Sequence, residues 1–320
     1  MKNKIIQFLK IVLPISIGVY LTWFFISNSS DSEKEQFILA FKEANYLWIL
    51  LALLVAFLSH FSRAYRWKYL LQTLDIKPNL NLMYHSVMIG YIINLTIPRS
   101  GEIARAGYFS KYQKVPADKI FGTIVVERVV DLLMFGMVIL ITIFLQADQQ
   151  QFNQIRQIQA ASFPDWLLPT VVVLTIVFLA LIIVVKKIRE KVVRFLKGIF
   201  EGCLTILKLK QKAAYLFHTF FIWSAYVGMF WLTAFALPEV NDISINAVFA
   251  CFVAGAVAIG ATPGGIGLYP IMVAAVLTQL YGYEGEVAKS FSMLMWATQT
   301  IFIVLLGLAS LFLITNQAKS

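Results

Sequence analysis

Two short stretches of this chain carry the side chains that could handle a charged group. In Asn94-Leu95-Thr96-Ile97-Pro98-Arg99-Ser100-Gly101-Glu102-Ile103-Ala104-Arg105, a proline and a glycine interrupt an apolar region and bring in two arginines and a glutamate. In Glu127-Arg128-Val129-Val130-Asp131, three charges lie near the start of a long apolar run. A guanidinium fork matches the oxygens of a phosphate, so Arg99 and Arg105 suit a phosphate-bearing ligand. N–H groups released by the backbone break at Gly101 add anion affinity of the kind found at helix starts. Glu127 and Asp131, four residues apart, share a helix face, and Arg128 reaches Asp131 by the i,i+3 relation. That trio either locks a helix through its own ion pairs or offers Arg128 to an anion.

The surrounding composition says where this chemistry takes place. Hydrophobic residues make up 59% of the 320 positions and charged ones 14%, and the mean hydropathy is +0.76. Soluble domains are nearer ~25% charged, so the composition points to a polytopic membrane protein. The net charge of +10 belongs to segment flanks and loops, which argues for anionic headgroups rather than nucleic acid. Cys203 and Cys251 and the isolated His60, His85 and His218 have no metal-ligand spacing, and the histidines read as packing or interfacial residues. No cofactor and no metal are implied. No Ser-His-Asp grouping or carboxylate dyad argues for hydrolysis.

Read in order, the chain predicts an all-α polytopic membrane protein with about six full transmembrane helices and two re-entrant, broken helix pairs facing opposite sides. The apolar run 11–26 reads as an uncleaved first helix, followed by a charged outer stretch over 31–43. A second span from Tyr46 to about Phe61 ends in the basic Arg63, Arg66 and Lys68, which marks the cytoplasmic side. Leu82–Ile97 is short for a ~20-residue crossing, and basic residues lie on both sides of the segment 82–112. That segment therefore enters and leaves on one face. The long helix 121–145, a Gln-rich outer loop over 146–159 and a returning span over 166–185 follow. Lys186–Lys212 is the most basic stretch, with apolar residues near helical spacing. It reads as a cytoplasmic amphipathic helix on anionic lipid.

After the span 213–237, a second short helix over 247–261 breaks at Thr262-Pro263-Gly264-Gly265-Ile266-Gly267 and resumes to Tyr281, between acidic residues that mark the outer side. This is no phosphate loop, since no Lys-Ser/Thr follows. Its glycines allow a tight reversal, so Thr262, Pro263, Gly264, Gly265 and Gly267 form a hinge matching Pro98 and Gly101. The last span returns the C-terminus, like the N-terminus, to the cytoplasm. Residues 1–320 then form a single integral membrane domain. Oppositely facing discontinuous helices meeting near mid-bilayer suggest an alternating-access transporter.

The chain resembles the lysylphosphatidylglycerol synthase transmembrane family, also described as flippase-like. The likeness rests on Arg63-x-x-Arg66-Trp67, Gly90, Asn94, Pro98-Arg99-x-Gly101-Glu102-x-x-Arg105, Gly122, Glu127-Arg128-x-x-Asp131 and the Thr262–Gly267 hinge. It implies movement or binding of polar lipids. The matching positions form the expected substrate-binding set: Arg63, Arg66, Asn94, Arg99, Glu102, Arg105, Glu127, Arg128 and Asp131. In fused family members a soluble aminoacyl-transferase follows the membrane part; this chain ends at Ser320 without one. Many relatives place an acidic residue shortly after the hinge, where this chain has Pro270, which leaves Glu102, Glu127 and Asp131 as the available carboxylates.

The expected function is a lipid flippase in a bacterial plasma (inner) membrane, binding an anionic or isoprenoid-phosphate lipid in a polar intramembrane groove. The alternatives are a membrane-embedded headgroup transferase, with Glu102 as base, and a non-catalytic assembly partner of envelope enzymes. A homo-oligomer is a further possible arrangement.

Overall fold

The computed structural model describes residues 16, 20, 22–24, 27, 30–97, 100–146, 185–317. The expected helix over 11–26 lies mostly outside them, and the Gln-rich loop and the 166–185 span almost entirely, as do Pro98 and Arg99. Among the described residues every element is helical. In chain order they are α1 (Asp31–Glu43), α2 (Tyr46–Leu71), α3 (Leu80–Thr96), α4 (Gly101–Gln113), α5 (Ala117–Gln146), α6 (Lys186–Leu207), α7 (Lys212–Ala234), α8 (Ile245–Ala261), α9 (Leu268–Tyr281) and α10 (Gly285–Gln317).

Among the described residues, four stretches are long and apolar enough to cross a bilayer: Tyr46–Leu74, Ala117–Gln146, Lys212–Ala234 and Gly285–Leu313. Large apolar side chains stand outward from them, among them Leu50, Leu54 and Phe57 on α2, Phe217 and Phe220 on α7, and Leu140 and Phe144 on α5. Outward leucines and phenylalanines are the surface a helix shows to lipid. The chain is an all-α polytopic membrane protein.

The helices fall into two compact units, Met1–Ile124 with Ala213–Ser320, and Val125–Lys212. In the first, both expected breaks are real. Helix α3 runs 17 residues and α4 13, or ~26 and ~20 Å at 1.5 Å per residue, each short of a ~30 Å hydrocarbon core. They pack as an antiparallel hairpin. The Asn94 side chain accepts the Gly101 N–H at 2.7 Å, so the first turn of α4 is capped from the last turn of α3. Lower in the hairpin Gly90 lies against both Gly101 and the Arg105 Cβ. A Cβ on Gly101 would collide with the Gly90 carbonyl oxygen and the Asn94 amide; glycine is needed for the helices to approach this closely.

The second hairpin, α8 with α9, turns through a single 3₁₀ turn, Pro263–Gly265. Gly264, Gly265 and Gly267 have φ of +60°, +75° and +73°, a region that side chains with a Cβ disfavour. Pro270 falls in the first turn of α9 and is buried, where a missing N–H costs no helical bond.

Helix α10 gives the depth of both breaks. Ile92 packs on Gly307 and His85 bonds Ser310 at 3.0 Å, so α3 rises from the C-terminal end of α10. The α8–α9 hairpin leads directly into the N-terminal end of α10. The hairpins come from opposite ends and their tips meet at the middle: Leu95 lies directly against Gly264, and the Trp296 indole N–H donates to the Gly264 carbonyl at 3.0 Å. Trp296 sits near the centre of Gly285–Leu313.

The apolar core occupies the half nearer the start of α10, with Ile49, Phe230, Val248, Cys251, Val273, Leu277 and Phe291 fully or nearly buried. In the second unit, Gly202 of α6 rests on Val129 of α5 and Ile206 is buried, while Val193, Phe200 and Leu207 face outward at seven-residue spacing.

Close approach at Gly101 makes a direct prediction. Gly101→Val should destabilise the protein by about 1–3 kcal/mol through overpacking, whereas Gly122→Ala, which meets nothing within 4 Å, should be neutral or stabilising. Thermal unfolding of the detergent-purified variants checks this contrast.

Candidate functional site

Arg63 and Arg66 are not flanking residues of a span that ends at Phe61. Helix α2 continues to Leu71, which puts them ~12 and ~8 Å of axial rise inside its C-terminal end. Both are buried, at 3% and 0% exposure, as is Arg105 at 4%. Three guanidiniums therefore lie buried within the first unit.

Each is held by an aromatic ring or hydroxyl from another helix. Arg105 of α4 stacks on Trp67 of α2, with its Cζ 3.7 Å from the ring centroid. Trp67 is itself fixed, donating its indole N–H to Thr123 Oγ1 at 2.8 Å and packing on Phe109. Arg66 donates to Thr219 Oγ1 at 3.1 Å and lies 5.4 Å from the Tyr215 ring. Arg63 donates to the Tyr226 hydroxyl at 3.1 Å and lies 5.9 Å from that ring. Ring stacking occupies the flat face of a guanidinium and not its N–H edge, which is the edge that pairs with phosphate oxygens.

The neighbouring polar groups follow the same pattern. Ser62 and His218 form a hydrogen bond at 2.8 Å. His60 is 4% exposed and packs on the Tyr91 ring at 5.0 Å, and both of its ring nitrogens are buried without a hydrogen-bond partner. All three histidines thus serve in helix packing.

The structure brings Arg105 against Trp67, the neighbour of Arg66 on the helix that also carries Arg63, and places Asn94 in the hairpin as the cap of α4. Glu102 stands half-buried in the first turn of α4. Arg99 and Pro98 lie outside the described residues, in the link between α3 and α4. Glu127, Arg128 and Asp131 belong to the second unit. There Glu127 is fully buried, and Arg128 pairs with Asp131 at 3.2 Å, the i,i+3 contact their spacing requires.

Tyr215, Thr219 and Tyr226 were not singled out from the sequence. Their signal is a polar stripe in an apolar helix: positions 215, 219 and 226 recur at spacings of four and seven, one face of α7.

Residues 11–307 match the family described as lysylphosphatidylglycerol synthase TM region. The chain belongs to that family. The chain is also 33% identical over 91 residues to the UPF0104 membrane protein MJ1595 of Methanocaldococcus jannaschii. That match covers 28% of this chain and 27% of the relative. No solved structure matches the chain.

Removing a neutral acceptor from a buried guanidinium should be costly in this family member. Thr219→Val and Tyr226→Phe are each expected to lower stability by about 1–3 kcal/mol, read as a fall in the unfolding midpoint, with Glu35→Ala at an exposed position of α1 as the unaffected reference.

Proposed function

We propose that the protein translocates an anionic membrane lipid, with the headgroup phosphate held by Arg63, Arg66 and Arg105 and by Arg99 from the adjoining link. The observation that carries this reading is the burial of three cations within membrane-embedded helices beside a broken helix. Charges at that depth are expensive and mark substrate or ion paths. Interrupted backbone at that depth is tolerated where it lines a protected cavity. The ring-stacked arrangement is pre-organised, so little side-chain entropy remains to be lost on binding.

In this reading the α3–α4 hairpin moves away from α2 and α7 to admit the headgroup, hinging at Pro98 and Gly101. The Thr262–Gly267 turn provides the corresponding hinge from the other side. The lipid's tails stay in the bilayer. Glu102 accompanies the cations at the hairpin mouth, and Glu127, Arg128 and Asp131 act as an ion network near the inner end of α5. The basic helix α6 lies on the cytoplasmic leaflet of a bacterial plasma (inner) membrane, with Val193, Phe200 and Leu207 in the headgroup layer and Lys186, Arg189 and Lys197 on anionic lipid. Both termini are then cytoplasmic. Aminoacyl transfer is not part of this reading.

Reconstitution tests it. Vesicles containing the full chain and a fluorescent phosphatidylglycerol should show protein-dependent exchange of the label between leaflets. Arg66→Gln, Arg99→Gln and Arg105→Gln should slow it by about thirtyfold or more, matching the roughly 2–5 kcal/mol lost when a buried charge pair loses one partner. Lys34→Ala, on exposed α1, should leave it unchanged. Absence of exchange by folded wild-type protein, or equal exchange in the three arginine variants, defeats the proposal. Formation of a modified headgroup from a supplied donor would favour a transferase instead.

A further inference from the structure

The tips of the two hairpins meet beside an apolar groove of about 530 Å³, within the ~300–1,000 Å³ typical of small-molecule sites. Leu95 lines it from the first hairpin and Ile266 from the second, with Trp296, Thr300 and Val304 from α10 and Thr22 and Trp23 from the described residues near the N-terminus. Its polar capacity is small, because the Trp296 indole N–H is already given to the Gly264 carbonyl at 3.0 Å. Residues 296–304 occupy the middle of Gly285–Leu313, where the surrounding medium of a ~30 Å hydrocarbon core is acyl chain. The same helix shows that medium Ile301, Leu305 and Leu308, which are 57%, 59% and 53% exposed, so the groove is continuous with the lipid-facing surface.

We infer that this groove seats one acyl chain of a membrane glycerophospholipid, placed beside the meeting hairpin tips. The apolar lining supplies the recognition, and the mid-span depth excludes a water-soluble occupant. Leu95 on Gly264 closes the space on one side; parting of the tips lengthens the groove along the chain. The inference deepens the translocase reading and rests on it for the step from a bound chain to a moving headgroup. It divides the lipid into two holdings, with cations for the headgroup and the tip groove for one tail.

Photo-crosslinking tests the placement. The full chain is reconstituted with phosphatidylglycerol that carries a diazirine midway along one acyl chain, irradiated, and mapped by peptide mass spectrometry. Adducts are expected on Leu95, Ile266 and residues 296–304 in excess of those on the lipid-facing Leu50–Phe57 stretch of α2. Thr300→Trp, which fills the groove, should reduce them to that background while α2 labelling persists. If that variant does not fold, Val304→Phe is the second filling change. Groove labelling no stronger than on α2, labelling unchanged in a folded filling variant, or displacement by a polyprenyl phosphate but not by unlabelled phosphatidylglycerol would each overturn the inference. Leaflet exchange measured in the same vesicles separates the two ideas. Labelling without exchange keeps the tail site and sinks the translocase; exchange without labelling does the reverse.

Discussion

The stacking of Arg105 on Trp67 is the contact on which the rest of the first unit depends. A guanidinium placed inside a membrane protein must recover what it loses on leaving water. An indole face recovers part of it through the ring quadrupole. That solution commits the neighbourhood. The indole N–H needs its own acceptor, which Thr123 provides, and the ring edge needs packing, which Phe109 provides. Three helices, α2, α4 and α5, are joined by one cation–ring pair and the bonds that steady it. Tyr215 and Tyr226 apply the same approach to Arg66 and Arg63 from α7.

Once the cations are settled this way, the division of the unit into two halves follows. Small and branched apolar side chains fill the half near the start of α10, where α8 and α9 cross through Gly255 and Tyr269. The other half also buries apolar residues, Leu70, Leu71, Met83, Met88, Ile89 and Phe109 among them, and within it α2 and α7 present arginine, tyrosine and threonine to each other. A hairpin inserted from each end meets a different environment: cationic and aromatic around α3–α4, hydrocarbon-like around α8–α9.

Much of this was legible in the residues, and the failures have identifiable causes. Pro98, Gly101 and the Thr262–Gly267 run announce backbone breaks through their own stereochemistry, and the shortness of the flanking helices announces that those breaks are deep. The i,i+3 pairing of Arg128 with Asp131 follows from helical spacing alone. The depth of Arg63 and Arg66 was less visible. Hydropathy windows end a span at the first cluster of charges, and here the helix continues because the charges face inward onto rings. The capping bond from the Asn94 side-chain oxygen to the first turn of α4 was likewise not visible in the residue type alone. Tyr215, Thr219 and Tyr226 were hidden because tyrosine and threonine are ordinary in membrane helices, and only the position of their partners shows what they do.

The meeting of the tips is the point at which local chemistry and global layout constrain each other. Leu95 can lie on Gly264 only because residue 264 has no side chain, and Gly264 can adopt φ +60° for the same reason. Its carbonyl, turned out of any helix, would be an unsatisfied acceptor at mid-membrane depth, a loss of several kcal/mol, were it not for the Trp296 indole. Any motion that separates the hairpins must either carry Trp296 along or find that carbonyl another donor. Helix α10 therefore cannot be a passive wall: the second hairpin is tied to its centre by the Trp296 bond, while the first, which brings Arg105, packs there through Ile92 on Gly307 and meets the second through Leu95 on Gly264.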